Sequence, residues 1–146
     1  LRRRGADTVD AKRLFSGSIE NYKAKFQLVS NAEVYGNCAI ACTDNSNIPN
    51  LRIVASQAAD ELLSIQGVTA SFVLYPSNGE VSVSARSLGD VNVQILMEAL
   101  GGGGHLTMAG AQLRDCTVKE AEARIRAQID EYRANQECQE ELVGAV

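Results

Sequence analysis

Apolar and polar positions divide the chain into short elements of two kinds. Ile19, Tyr22, Phe26 and Val29 recur at three- and four-residue steps, the spacing of one helix face. Ser18 is placed to cap that helix, and Glu20 sits in its first turn, where a carboxylate suits the dipole. Ahead of it, Asp7 or Thr8 is expected to cap a short helix through Leu14 and Phe15, closed by Ser16-Gly17. Glu33-Val34-Tyr35 and Cys38-Ala39-Ile40-Ala41-Cys42 flank Gly36-Asn37 and predict a β-hairpin. After a polar loop with Pro49, an Ala-rich helix is expected over residues 51–65, with Ile53, Ala58 and Leu62 inward and Gly67 as its stop.

Two strands come next, at residues 68–75 and 81–85. Ser71-Phe72-Val73-Leu74 has little polar interruption, as in a strand buried on both faces. Val81-Ser82-Val83-Ser84-Ala85 alternates, so one of its faces is apolar. Pro76-Ser77-Asn78-Gly79 supplies the turn between them. Asp90 or Asn92 caps a helix that turns Val93, Leu96, Met97 and Leu100 toward the core and stops at Gly101. A glycine loop and a short strand ending at Leu113 follow. Thr117 with Glu120 forms a capping box for a last helix to about Ala134, with Ile125, Ile129 and Tyr132 inward and an acidic, frayed tail beyond Asn135. Hairpins interspersed with helices predict an α+β fold, a mixed β-sheet flanked by helices.

Composition narrows the chemistry. The 146 residues suit one domain. With 5% aromatics and no Trp, the core has to come from Val, Ile, Leu and Ala. A net charge of -4 argues against broad capture of long nucleic acid, yet a small anion held by a few placed donors stays open. No apolar run reaches the length of a membrane span. Arg2-Arg3-Arg4 has no apolar stretch behind it and is not read as a signal peptide. The chain opens on Leu1 rather than Met, so it is expected to come from a longer protein. Cys38, Cys42, Cys116 and Cys138 lack paired C-x-x-C spacing, and with a single histidine they argue for reduced thiols rather than a zinc site. Cys38 and Cys42 fall on one strand face, which fits core filling.

The segment most informative about chemistry is Gly101-Gly102-Gly103-Gly104-His105. Glycine lets backbone approach a ligand closely, and consecutive amides can converge on an anion. The loop follows a helix rather than opening one, so the positive end of a helix dipole is not its basis. His105, the one histidine, adds a donor at the end of the loop. A plain turn after a helix is the bland alternative. Arg86, at a strand end beside Ser84, Ser87 and Gly89, has the fork that fits phosphate; alone it reads more readily as a solvated strand-end arginine. The two segments lie on either side of one helix, so folding could join them into a pocket. No nucleophile triad and no metal-spaced run of Asp and His is found.

Ser84-Ala85-Arg86-Ser87-Leu88-Gly89-Asp90-Val91-Asn92-Val93, Gly101-Gly102-Gly103-Gly104-His105 and Ala109-Gly110 together resemble the DHH-associated domain of DHH-family phosphoesterases. The context of Ser84–Gly89 and the four-glycine form are most similar to the membrane-anchored cyclic-di-AMP phosphodiesterases. Residues 2–7, 57–63, 67–68 and 71–73 agree with this over nearly the whole chain. The resemblance implies a C-terminal substrate-binding half, inactive alone, of a manganese-dependent enzyme that hydrolyses cyclic di-AMP to linear pApA. Manganese would sit in a missing N-terminal DHH domain, with no cofactor in this chain. Residues 1–16 would be the connector, 17–135 the domain and 136–146 a tail. Gly101, Gly102, Gly103, Gly104 and His105 would meet a substrate phosphate, His105 assisting catalysis. Arg86 would bind phosphate or base, supported by Ser84 and Ser87. One departure is Met108, where relatives carry Asn.

The expected partners are a cyclic dinucleotide or short oligonucleotide and the DHH domain of the same chain. A homodimer stays open, and no membrane contact is expected here. The parent would be anchored in a bacterial membrane with this part at its cytoplasmic face. Alternatives are a same-fold nanoRNase or phosphoadenosine-phosphate phosphatase, a non-catalytic nucleotide-sensing module, and a dimerisation domain using the helix at 93–100.

Overall fold

The computed structural model describes residues 19–144, with side chains as far as Cys138; the expected helix at 7–15 and the Ser18 cap lie outside these. In chain order the elements are α1 (Ile19–Ser30), β1 (Glu33–Tyr35), β2 (Cys38–Cys42), α2 (Leu51–Leu62), β3 (Ala70–Ser77), β4 (Glu80–Ser87), α3 (Val93–Ala99), β5 (Gly103–Gly104), β6 (Met108–Leu113) and α4 (Val118–Gly144). The strands form one open sheet in the order β1-β2-β3-β4-β6-β5. Only β2 and β3 run parallel, joined through α2; the other pairs are antiparallel. The α+β expectation with a mixed sheet and hairpins therefore holds.

Side-chain alternation sorts the sheet residues into two cores. On one face Phe72, Leu74, Val81, Val83, Ala85, Ala109 and Ala111 pack with Leu96 and Met97 of α3 and Ile125 and Ile129 of α4. On the other, Ala39, Ala41, Val73 and Tyr75 pack under α2, with Ala24 and Leu28 of α1 outside it. Ser71 to Leu74 are fully buried, as their apolar run predicted, and the Ser71 hydroxyl is satisfied by donating 2.6 Å to the Ala59 carbonyl. Asn78 (φ 52°) and Gly79 (φ 78°) make the tight turn between β3 and β4, the left-handed pair that two-residue hairpins favour.

The capping box forms as expected. Thr117 N–H donates to Glu120 Oε1 at 3.0 Å and Glu120 N–H to Thr117 Oγ1 at 3.1 Å. Asn92, rather than Asp90, caps α3 by accepting from the amides of Gln94 and Ile95.

Four expectations need correction. Ile19, Tyr22 and Phe26 are exposed; α1 instead turns Ala24 and Leu28 inward, because the packing of α2 selects a neighbouring stripe. Ile53 is exposed too, and α2 buries Leu51, Val54, Ala55, Ala58, Ala59 and Leu62. That helix ends at Leu62, with turns before Gly67. The last helix continues to Gly144, since nothing from Gln136 to Leu142 breaks a helix.

Candidate functional site

Helices α1 and α2 cover β2 and β3, and α2 reaches the near side of β4. Beyond them the β4–β6–β5 half lies open as a trough of about 820 Å³. Its floor is set by strand register. Val81, Val83 and Ala85 point into the α3–α4 core, so Ser82, Ser84 and Arg86 point the opposite way. Across the ladder Arg86 faces Met108, Ser84 faces Gly110, Ser82 faces Gln112, and Gly110 faces Gly103. Arg52 and Ser56 of α2 form the near wall, Gly101 and Gly102 the far wall, and Arg114 lies at the rim.

The sequence segments on either side of α3 do come together, through specific bonds. The Ser87 amide donates to the Thr107 carbonyl at 2.9 Å, and the Val93 amide to Leu106 at 3.2 Å. These tie the approach to α3 onto the β5–β6 turn. Ser84, Arg86, Gly101 and Gly102 line the trough. Ser87 does not; it is buried on the opposite parity, and its hydroxyl accepts from the Gly89 amide at 3.0 Å, shaping the loop beside Arg86. His105 is exposed at the β5–β6 turn, outside the trough lining.

The glycines are less a nest than a close-packed edge. The Gly101 amide donates to Glu98 and the Gly102 amide to Met97, at 3.0 and 2.7 Å, so both serve to close the C-terminus of α3. A Cβ on Gly102 would collide with the Gly110 carbonyl and with Ala111, and one on Gly104 with Ala109. Residues 103–104 therefore form a short strand where a loop was expected. The His105 amide donates to Met108, making 105/108 a bonded pair of the antiparallel ladder. Alternation then turns the Gly104 N–H away from β6, toward the open sheet edge. Of the amides in this segment, it is the one the ladder leaves for a ligand.

Arg86 is almost wholly buried along its side chain. Its Nη1 donates to the Ala85 carbonyl at 2.9 Å, and its Nε lies 3.2 Å from Asp60 Oδ1. That Nε has no aligned hydrogen bond, so the Asp60 contact is a charge contact only. It steers the guanidinium without using up its donors. Ser82 and Ser84 are largely buried residues of the trough lining; their hydroxyls have no hydrogen-bond partner among the described residues and open onto the trough rather than being sealed in the fold.

Charge is sorted as well. The chain carries 18 Asp and Glu against 14 Lys and Arg, yet the trough is lined by three arginines and no carboxylate. Arg52 makes no ion pair among the described residues; Arg114 pairs with Glu80 at 3.1 Å. A separate hollow of about 750 Å³ beside α1, lined by Tyr22, Phe26, Ile48 and Pro49 among others, has no comparable set of donors. Among the described residues no three His, Cys, Asp or Glu side chains gather as metal ligands. Sequence reasoning missed Arg52, Ser82, Gln112 and Arg114. The parity shared by residues 82, 84 and 86 was the signal that could have found Ser82.

The family model described as the DHHA1 domain matches residues 50–135. A cyclic-di-AMP phosphodiesterase, GdpP, of Geobacillus thermodenitrificans is 48% identical over 134 residues, covering 90% of this chain and 20% of that protein. Cyclic-di-AMP phosphodiesterase PdeA of Listeria monocytogenes is 41% identical over 133 residues, with the same shares covered. The chain thus spans about one fifth of the length of these relatives. Among solved structures, an exopolyphosphatase-related protein from Bacteroides fragilis superposes with a TM-score of 0.71 at 22% identity, over 80% of this chain and 36% of that one. At that identity the likeness speaks for the fold alone.

Proposed function

The chain belongs to the DHHA1 domain family, and from that premise we propose that it is the substrate-holding, C-terminal half of a phosphodiesterase that opens cyclic di-AMP to linear pApA. One observation carries the reading: an arginine-lined trough free of carboxylates, in a chain of net negative charge. Arg86 takes a phosphate through its uncommitted donors, and the Ser84 hydroxyl adds a neutral one. Preset donors of this kind stabilise charge growing on phosphoryl oxygens without reorganising during reaction. Ser87 holds the neighbouring loop. His105, exposed at the sheet edge, stands where it would face a second domain and help a proton reach or leave the reacting phosphate.

The relatives' extra length leaves room for such a domain. It would hold the manganese and activate the attacking water. This half alone is then inactive. The parent would hold this part at the cytoplasmic face of a membrane.

Kinetics of the full-length protein test the assignment. Arg86→Ala is expected to raise KM for cyclic di-AMP by ten-fold or more, since a charge-assisted contact contributes about 1.5–3 kcal/mol. His105→Ala is expected to lower kcat with the fold intact. An unaltered KM in the first variant would remove Arg86 from substrate capture.

A further inference from the structure

Of the three arginines that line the trough, only Arg86 is buried along its side chain, with 12% of it exposed. Such an arm has many rotamers to choose from. Its bond to the Ala85 carbonyl is made to the adjacent residue, so it ties the arm to β4 and to nothing beyond. The one carboxylate paired with it among the described residues is Asp60 of α2, 3.2 Å from Nε. That carboxylate is set in place by the neighbouring strand. Ser71 of β3 is the cross-strand partner of Arg86, so both side chains leave the same sheet face. The Ser71 hydroxyl donates to the Ala59 carbonyl at 2.6 Å, and Ala58, Ala59 and Leu62 are fully buried. The backbone of α2 is thus pinned one residue before Asp60, over the ladder position of Arg86.

We infer that Asp60 is a positioning residue: seated by the Ser71–Ala59 bond, its carboxylate holds the Arg86 guanidinium in the trough and touches no ligand itself. This rests on the reading of the trough as the substrate-binding site. The opposite role has a definite sign, because a carboxylate acting mainly through its field would repel a bound anion, and its removal would tighten binding. Two observations favour support over repulsion. Asp60 is 65% exposed and lies outside the trough lining, so solvent screens its charge beyond the immediate contact. The Nε it faces is shut off from water with no aligned hydrogen bond, and a buried guanidinium without a counter-charge is costly to keep in place. Without Asp60 the arm would lose its one tertiary tether among the described residues.

Steady-state kinetics of the full-length protein with cyclic di-AMP test this. Asp60→Asn keeps the shape and removes the charge. It is expected to raise KM about two- to fivefold, the range of a partly exposed ion pair, with a smaller change in kcat. Asp60 is exposed and outside both cores, so the fold should survive. Asp60→Glu, which keeps the charge, should recover part of the loss. Glu61→Gln makes the same change one residue along, on a carboxylate that pairs with Lys25, and should leave KM unaltered. In an Arg86→Ala background Asp60→Asn should have no further effect, because the group it positions is gone; a purely structural role would act in both backgrounds. If Arg86→Ala raises KM but Asp60→Asn lowers it or leaves it as it was, or if the rise persists in the Arg86→Ala background, the role of Asp60 is overturned and the trough reading stands. If Arg86→Ala itself leaves KM unaltered, the trough reading falls and the role of Asp60 with it.

Discussion

The two faces of β4 share a backbone and differ in everything else. Val81, Val83 and Ala85 are sealed under α3 and α4, whereas Ser82, Ser84 and Arg86 form the floor of a trough that no helix covers. The first face has apolar neighbours throughout; the second has small hydroxyls, glycines opposite, and a buried guanidinium held beside Asp60. The contrast divides the packed core from the proposed ligand face by residue parity rather than by region. Substitutions one position apart should therefore fail in different ways.

The sharpest break in that comparison comes from the sealed face. Phe72, fully buried and opposite Ala85, should cost about 3–5 kcal/mol when cut to Ala. A urea melt should show this as a lower midpoint with an unchanged slope. A loss below 1 kcal/mol would mean that this face is not the core. Gly102→Ala comes next, because its methyl would meet the Gly110 carbonyl and force the sheet edge to shift, at about 1–3 kcal/mol. Ser84→Ala should change stability by no more than about 0.5 kcal/mol, since its hydroxyl supports nothing within the fold, and should still weaken nucleotide binding in the same protein.

Thiol chemistry gives the smallest effect and separates the sheet from the surface. Burial pushes the Cys42 thiol well above its ordinary pKa, helped by its hydrogen bond to Glu122; burial also raises Cys38, against a smaller opposing pull from Arg133. At mildly alkaline pH both should resist alkylation while exposed Cys138 reacts first. Equal rates read by mass spectrometry would show β2 to be less well covered than the fold implies.

Much of this was legible in the residues. The alternation at 81–85, the Asn78-Gly79 turn, the Thr117–Glu120 box and the inward stripe of Leu96 and Met97 are local signals, and each formed as expected. The glycine run suggested a loop, and the structure pairs part of it as a strand. Two of its amides close α3, and residues 103–104 pair with 109–110 as a strand, with open space at Gly103 and a tight fit at Gly104, where a Cβ would meet Ala109. The stripe of Ile19, Tyr22 and Phe26 promised burial and is exposed. Periodicity specifies a helix, while its neighbours decide which stripe is covered.

By itself the sequence determined the kinds of element, most of their order, and that Ser84 and Arg86 share one strand face, because caps, turns and alternation act over a few residues. Only the tertiary structure decided that Arg52 of one helix would line one trough with Ser82 and Gln112 of two strands, and that no carboxylate would be among the residues lining it. That outcome depends on sheet order and on how far α2 extends over the sheet, and neither is encoded within any single stretch of chain.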